Sequence, residues 1–154
     1  MRILITGPRG QLGQALQEAL SGEDLVLRDL PEFDFTQSDS ESQIMAARPS
    51  VILHVGAYTN VDGAEREPDR AMAVNAQGTT FVARAAATLN ARLIYLSTDY
   101  VFDGTKSIPY REEDVPRPVN VYGQSKRAGE IAALTGCSDT LVVRTAWLLW
   151  TCRE

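Results

Sequence analysis

The chain of 154 residues is 44% hydrophobic and 23% charged, which is enough for one globular domain that buries most of its unfolded surface. Its formal charge of -5 is spread over both signs without a basic run, so nucleic-acid binding is not expected. No run approaches the ~18 to 20 apolar residues of a membrane helix, and the 2 cysteines fit neither a disulfide framework nor a metal site, so we expect a soluble cytoplasmic protein.

Short apolar runs with β-strand character alternate with helical segments along the chain. The predicted strands are residues 2–6, 25–28, 51–55, 92–97 and 140–144. The predicted helices are residues 11–20, 39–47 and a long segment, 62–90, with a break expected near Gln77 and Gly78. This alternation predicts an α/β fold with a doubly wound parallel sheet. Residues 103–118, with several prolines and charges, are predicted to form a functional loop.

A glycine-rich turn follows the first predicted strand. Gly7, Gly10 and Gly13 form a G-x-x-G-x-x-G run between that strand and the first helix. In such a run the first glycine permits a tight turn, the second lets backbone N–H groups approach a diphosphate, and the third lets the helix pack on the strand. An ordinary glycine turn is the alternative, but the position of the run favours a dinucleotide-binding loop.

The end of the second predicted strand carries both residue types that distinguish NADPH from NADH. Arg28 favours the 2'-phosphate of NADPH, whereas Asp29 favours the ribose hydroxyl of NADH. Either side chain could equally be a solvated charge at the end of a strand. The sequence therefore leaves the cofactor preference open.

Tyr122 and Lys126 are four residues apart, which places both side chains on one face of a helix. A phenol held near a carbonyl can protonate its oxygen while a hydride reaches its carbon. A neighbouring ammonium would lower the pKa of the phenol and could also bind the cofactor ribose. Thr98, after the fourth strand, is the candidate for polarising the carbonyl. A Tyr/Lys pair alone arises often by chance, but with the glycine loop and Thr98 it is typical of short-chain dehydrogenases/reductases.

Several blocks of sequence resemble the dTDP-4-dehydrorhamnose reductase family, from Met1 to about Leu148. These blocks are residues 57–62, 73–76, 97–105, 120–126 and 144–147. The resemblance implies a Rossmann fold and reduction of the C4 ketone of dTDP-4-dehydro-L-rhamnose by NADPH or NADH, giving dTDP-L-rhamnose for polysaccharide biosynthesis. It allows Mg²⁺ as a further cofactor and a homodimer as the assembly.

The resemblance also implies which residues form the site. The implied catalytic residues are Thr98, Tyr122 and Lys126. The cofactor-binding residues, with Tyr122, Lys126 and the candidates Arg28 and Asp29, are Gly7, Gly10, Gln11, Leu12, Gly13, Asp34, Phe35, Gly56, Ala57 and Tyr58. The substrate-binding residues are Val61, Asp62, Thr98, Asp99, Tyr100 and Trp147.

For four residues in or near the implied site, a purely structural role is an alternative to a functional one. Asp62 could cap the helix that follows it, Asn75 could be a helix-end hydrogen bonder, and Trp147 could be a core residue. His54 stands where the family usually has Asn. We expect it to be a hydrogen-bonded core residue and assign it no catalytic role.

The last residues depart from the family pattern, which continues with a Tyr-Gly-Pro turn and a substrate domain. We expect residues 1–148 to form an NAD(P)-binding domain and residues 149–154 to be an aberrant tail. Dropping the first base of one possible coding sequence for residues 149–154 gives the Tyr-Gly-Pro pattern, which indicates a frameshift truncation. An incomplete sheet with an exposed edge and edge-strand self-association would follow. Two other functions remain open: a regulatory subunit similar to that of methionine adenosyltransferase, and a remnant that binds the cofactor weakly.

Overall fold

The computed structural model describes residues 1–148, so the tail predicted at residues 149–154 lies outside the described residues. The strands are β1 (Arg2–Thr6), β2 (Asp24–Arg28), β3 (Val51–His54), β4 (Arg92–Thr98) and β5 (Thr140–Thr145). The helices are α1 (Gln11–Ala19), α2 (Ser40–Ala47), α3 (Val61–Arg66), α4 (Pro68–Met72), α5 (Thr79–Leu89) and α6 (Val121–Gly136), with a π-helix (Ala73–Gly78) and a 3₁₀ helix (Asp99–Val101). No helix within residues 1–148 is long and apolar enough to cross a membrane.

All five strands are parallel and lie in the order β2-β1-β3-β4-β5. Strand β1 is paired with β2 on one side and with β3 on the other, so the winding of the chain reverses between β1 and β3. Ligands of doubly wound sheets bind at the carboxyl ends of the strands beside such a reversal. The predicted doubly wound α/β fold is confirmed, and the site is expected at this edge.

Helices cover the sheet on both faces. On one face, Leu4, Ile52 and Leu93 are fully buried and pack with residues of α2, α5 and α6. The alanines of α5, among them Ala83, allow a close approach of α6, because a Cβ at Gly136 would lie 2.8 Å from the Ala83 Cβ. On the other face, α1 covers a smaller cluster. The sheet is therefore held rigidly beneath its carboxyl edge.

The segment predicted as one helix over residues 62–90, with a break near Gln77 and Gly78, consists of four elements: α3, α4, the π-helix and α5. The chain therefore changes helix type at more places than the one predicted break. Pro68 begins α4, because proline lacks the N–H that a helix interior requires but is tolerated in a first turn. The π-helix then replaces α-helical turns up to Gly78. There a Cβ would lie 2.5 Å from the ring of Phe35, so the wider turn and the missing side chain make room for that ring.

Strand β5 is paired on one side only within residues 1–148. Its outer face is partly open, and Leu141 is 54% exposed. Within the described residues, β5 is therefore an edge strand. Self-association through that edge stays a prediction.

Glu130 of α6 anchors this side of the sheet through a buried ion-pair network. The carboxylate is fully buried and accepts hydrogen bonds from Arg144 at 2.7 and 2.8 Å, from Arg127 at 2.7 Å and from the Ser97 hydroxyl at 2.6 Å. Burial acts to raise the pKa of Glu130, but these hydrogen bonds outweigh it, so the pKa lies below its ordinary value. Sequence reasoning missed this group, because its partners are brought together only by the fold.

Candidate active site

Two adjoining clefts lie at the carboxyl edge of the sheet. The glycine-loop cleft, of about 710 Å³, is lined by all but one of the predicted cofactor residues that precede residue 60: Gly7, Gly10, Gln11, Leu12, Gly13, Asp29, Asp34, Phe35, Gly56, Ala57 and Tyr58. The tyrosine cleft, of about 460 Å³, is lined by Val61, Thr98, Asp99, Tyr100, Tyr122, Lys126 and Trp147 among others. The two clefts share the residues Val55, Ala57, Thr59, Leu96 and Leu148, so they form one groove.

Two of the predicted residues line neither cleft. Arg28 faces a neighbouring cleft of about 760 Å³ that shares Arg9, Asp29 and Phe33 with the glycine-loop cleft. Asp62 is exposed in the first turn of α3. It is not the helix cap either, because the Asn60 side chain accepts the Gly63 N–H at 2.8 Å.

The glycine loop has backbone geometry that side chains would not permit. Gly7 has a φ of +67°, and a Cβ there would lie 2.7 Å from the Gly56 Cα. A Cβ at Gly13 would lie 2.3 Å from the Gly7 carbonyl oxygen. The loop therefore packs directly against the start of α1, whose N-terminus opens toward the cleft at Gly10. The positive end of the helix dipole at such a terminus suits a diphosphate.

Asp29 is already engaged in holding this loop. One carboxylate oxygen accepts the Arg9 backbone N–H at 3.0 Å and the other accepts the Leu30 N–H at 3.0 Å. Farther along, Asp34 accepts from the Thr36 N–H and hydroxyl at 2.9 and 2.7 Å. Burial acts to raise the pKa of Asp34, but these hydrogen bonds lower it overall. The ionised Asp34 carboxylate therefore holds the turn at Phe35 through Thr36.

Asn75, in the π-helix, holds the turn that lines the cleft after β3. Its side chain accepts the Tyr58 N–H at 2.8 Å and donates to the Tyr58 carbonyl at 3.0 Å and to Ser125 of α6 at 2.9 Å. Asn75 is 1% exposed, so it is a buried bridge and not a helix-end hydrogen bonder as one interpretation held. The polar amide inside an alanine- and valine-rich helical segment was the available signal.

Tyr122 and Lys126 both face the tyrosine cleft from the first turns of α6, as their spacing predicted. The Asn120 side chain caps the helix by accepting the Gly123 N–H at 2.7 Å. The Tyr122 ring meets the Tyr100 ring edge to face, with centroids 5.5 Å apart. Tyr100, a candidate substrate-binding residue, and Tyr122, the candidate proton donor, are therefore brought together at one wall of the cleft.

The expected lowering of the Tyr122 pKa is wrong in this structure. Burial raises the pKa of Tyr122, the Thr98 hydroxyl acts against it, and the nearby Asp99 acts to raise it further. The Lys126 ammonium instead donates to the Leu96 carbonyl at 2.7 Å and lies 4.3 Å from the Tyr95 ring centroid. Tyr122 is therefore a protonated phenol near neutral pH, which is the state that a proton donor needs.

Lys126 is close to titration at neutral pH. Burial lowers the pKa of Lys126 to about 7, although the carboxylate of Glu130 acts to raise it. The side chain is 3% exposed, and its cation loses hydration that only one carbonyl and one aromatic face replace. A small change in its surroundings therefore decides whether it carries a proton.

The remaining cleft residues include Trp147 and Thr98. Trp147 is 83% exposed with a φ of +45°, so its interpretation as a core residue is wrong and it is free to meet a ligand. The Thr98 hydroxyl donates to the Asp99 carboxylate at 3.0 Å and accepts the Tyr100 N–H at 3.2 Å. His54 is 1% exposed with two hydroxyl partners, so its predicted place as a hydrogen-bonded core residue is confirmed. Within residues 1–148, no cluster of three or more His, Cys, Asp or Glu side chains suits a metal ion.

The parallel sheet, the glycine loop at its reversal point, and the adjoining Thr98, Tyr122 and Lys126 define a Rossmann-like fold of the short-chain dehydrogenase/reductase class. The chain belongs to the RmlD substrate binding domain family, whose model matches residues 1–153.

Similar proteins agree with this assignment. A dTDP-4-dehydrorhamnose reductase from Sinorhizobium fredii is 43% identical over 150 residues, which are 96% of this chain and 51% of that protein. A dTDP-4-dehydrorhamnose reductase from Bacillus anthracis, crystallised in complex with NADP, has a TM-score of 0.94 at 40% identity and matches 99% of this chain and 56% of its own. The Bordetella bronchiseptica enzyme WbmG, in complex with NAD and UDP, has a TM-score of 0.81 at 26% identity, over 94% of this chain and 52% of its own. The chain spans about half the length of the curated relatives it matches.

Proposed function

We propose that this chain is the NAD(P)H-binding and proton-donating half of a dTDP-4-dehydrorhamnose reductase, which reduces the C4 ketone of dTDP-4-dehydro-L-rhamnose to dTDP-L-rhamnose. The observation that carries the proposal is the shared wall of the two clefts. Because Val55, Ala57, Thr59 and Leu96 line both, a dinucleotide in the glycine-loop cleft would reach the tyrosine cleft with its far end. The relatives named above support the choice of substrate.

The chain's own residues fit a dinucleotide. The side-chain-free surfaces of Gly7 and Gly13 and the N-terminus of α1 would hold the diphosphate, and Phe35 would pack beside the adenine. When bound, the nicotinamide supplies the hydride. Tyr122 would donate the proton to the ketone oxygen, and Thr98 would polarise that oxygen. Lys126, whose side chain lines the same cleft, would bind the ribose.

The structure supports NADPH as the preferred cofactor within this proposal. Each oxygen of Asp29 already accepts one backbone hydrogen bond, so fewer of its acceptor sites remain for the ribose hydroxyl of NADH. The Nε of Arg28 is buried and has no hydrogen-bond partner in the described part of the chain. The Arg28 Nη1 donates to the Leu27 carbonyl at 3.2 Å, and a 2'-phosphate at the wall shared by the two neighbouring clefts would give the guanidinium an anionic partner.

Replacement of Arg28 by Gln should therefore weaken NADPH binding and leave NADH binding unchanged. Loss of one charge-assisted hydrogen bond of about 1.5–3 kcal/mol predicts a roughly 10- to 100-fold increase in the dissociation constant for NADPH. Titration of both dinucleotides into each variant measures this, with exposed Arg84→Gln as the matched control. Equal weakening for both dinucleotides would remove Arg28 from cofactor selection.

The direct test of the function is a titration of the purified chain with NADPH and NADH, followed by an assay with the dTDP-sugar ketone. Binding with turnover supports the reductase. Binding without turnover favours the interpretation as a weakly active remnant, and absence of binding contradicts the proposal. The regulatory subunit has no support in the names of these relatives, and a pull-down with methionine adenosyltransferase would test it.

The remaining expectations follow from the same proposal. The partner is a dTDP-sugar, and the open edge of β5 is the place where a homodimer or edge-strand self-association would form. Residues 1–148 are proposed as the NAD(P)-binding domain of a cytoplasmic enzyme. No side-chain cluster in those residues supports Mg²⁺ as a cofactor.

A further inference from the structure

His54, the last residue of β3 and the 1 histidine of the chain, is a buried titratable group that the proposed mechanism does not use. Its ring lies between the end of β1 and the start of α5. Nδ1 is 2.7 Å from the Thr6 hydroxyl oxygen, and Nε2 is 3.1 Å from the Thr79 hydroxyl oxygen. Both ring nitrogens are therefore engaged, and His54 links the end of β1 to the start of α5.

A neighbouring backbone group gives a direction to the hydrogen bond at Nε2, and a second one is compatible with a single direction at Nδ1. The Gly56 N–H donates to the Thr6 oxygen at 3.2 Å, so the Thr6 hydroxyl has its proton free to donate to Nδ1. On the other side, the Thr79 hydroxyl donates to the Asn75 carbonyl at 2.8 Å. Its oxygen must therefore accept a proton from Nε2. The Thr79 contact places a proton on Nε2, and donation from Thr6 to Nδ1 then gives a neutral ring protonated on Nε2.

The surroundings of the ring favour that neutral species. The Phe35 ring lies edge-on at 5.0 Å and the Tyr95 ring at 5.6 Å. Burial, together with the nearby positive charge of Lys126, lowers the pKa of His54 to about 3. A second ring proton would also face the Thr6 hydroxyl and leave that hydroxyl without an acceptor. The direction of the hydrogen bonds is therefore stable across the physiological pH range.

The hydrogen bonds continue beyond His54 in both directions. At one end is Gly56, which lines the glycine-loop cleft. At the other end Asn75 holds both the N–H and the carbonyl of Tyr58 and the hydroxyl of Ser125, one residue before Lys126. The Thr79 hydroxyl bonds the backbone carbonyl of Asn75, whereas Tyr58 and Ser125 are bonded by the Asn75 side chain, so the covalent frame of Asn75 completes the path from the cleft wall, through the core, to α6.

We propose that His54 is a positioning residue: as a neutral imidazole it joins the Gly56 turn of the glycine-loop cleft to Asn75, and through Asn75 to the helix that carries Tyr122 and Lys126. Its effect on cofactor binding rests on the function proposed above. Its effect on the structure does not, because the path of hydrogen bonds consists of protein groups alone.

The state of the ring can be measured without any ligand. Because the chain has 1 histidine, labelling histidine with ¹⁵N gives a single pair of ring signals from the whole 154-residue chain. We expect the shifts of the Nε2-protonated tautomer, unchanged between about pH 5 and 8. A ring protonated on Nδ1, or one that titrates within that range, would overturn the proposal.

Two variants test the path itself through amide hydrogen exchange. His54→Phe keeps a ring but removes both hydrogen bonds, so the Gly56 and Tyr58 amides should exchange about tenfold faster. His54→Asn places an acceptor near the position of Nδ1 but is too short to reach Thr79. It should therefore restore protection at Gly56 and leave Tyr58 exchanging fast.

A matched control separates positioning from general loss of stability. Ile52→Val removes one methylene from the core of the same strand without touching a hydrogen bond. If this variant accelerates exchange at the Gly56 and Tyr58 amides as much as His54→Phe does, His54 has no specific role. Exchange in His54→Asn that is fast at both amides, or slow at both, would likewise contradict the path.

Cofactor binding supplies the functional readout. We expect His54→Phe to raise the dissociation constant for NADPH about tenfold and His54→Asn to recover part of that loss. Unchanged affinity in His54→Phe would contradict the positioning role. If the unmodified chain binds neither NADPH nor NADH, the proposed function fails, whereas the tautomer and exchange measurements still decide the role of His54.

Discussion

Replacement of Tyr122 by Phe is expected to lower the rate of ketone reduction by about 10²- to 10⁴-fold while cofactor affinity stays within about twofold. The phenol lies in the tyrosine cleft beside Thr98 and is protonated near neutral pH, because burial raises its pKa. Phe keeps the ring and its contact with Tyr100 but has no proton to give. The rate is measured as oxidation of NADPH in the presence of the dTDP-sugar ketone.

The assay should be made on this chain and, because its relatives are about twice as long, on the same residues joined to the second half of one relative. Tyr110→Phe is the matched control. Tyr110 stacks on Phe102, outside both site clefts, and donates to Asp103. Turnover by Tyr122→Phe at the rate of the Tyr110→Phe control would remove Tyr122 from the mechanism.

Loss of the Glu130 carboxylate is expected to have the largest effect on stability. Glu130→Ala leaves Arg144 and Arg127 without their shared partner and the Ser97 hydroxyl without its acceptor. Removal of one member of a buried ion pair costs about 3–5 kcal/mol of unfolding free energy. Urea unfolding followed by circular dichroism measures the change.

The exposed Glu18 of α1 provides a control for the loss of a helical glutamate, and Glu18→Ala should change the unfolding free energy by no more than about 0.5 kcal/mol. A loss in Glu130→Ala no larger than this would show that the network contributes nothing to stability.

The same carboxylate gives a pH dependence with a defined sign. The hydrogen bonds at Glu130 hold its pKa in the folded state below the ordinary value of 4.5. Its contribution is therefore fully present above about pH 4.5 and is lost as the pH falls through the folded-state pKa. The stability difference between the unmodified chain and Glu130→Ala should shrink on acidification below that point, and a difference that grows there would contradict the assignment.

Local sequence patterns predicted the parts of this fold that depend on local physics. Apolar runs of four to six residues predicted all five strands, and the glycine run predicted the loop because only glycine fits the φ at Gly7 and the close contact at Gly13. The four-residue spacing placed Tyr122 and Lys126 in one cleft because α6 is a regular helix.

Features that depend on packing could not be predicted in the same way. The π-helix inserts a wider turn that helical periodicity does not distinguish, so the bridging role of Asn75 was missed. The direction of Lys126 depends on the Leu96 carbonyl, which comes from another strand. The pKa of Tyr122 was therefore predicted with the wrong sign, because the sequence gives the spacing of the pair but not its burial.

The reversal of winding between β1 and β3 also bears on when the chain could first hold a dinucleotide. Most of the glycine-loop cleft comes from residues 7–13, 29–36 and 55–59, and Leu96 of β4 also lines it, so the cleft is formed only after β1, β2, β3 and β4 have docked. A ligand that binds only such a docked state stabilises it, by about 2.7 kcal/mol at a hundred times its dissociation constant. If the proposed function holds, the dinucleotide acts as a folding ligand, and its supply sets the fraction of the chain that persists in the native state.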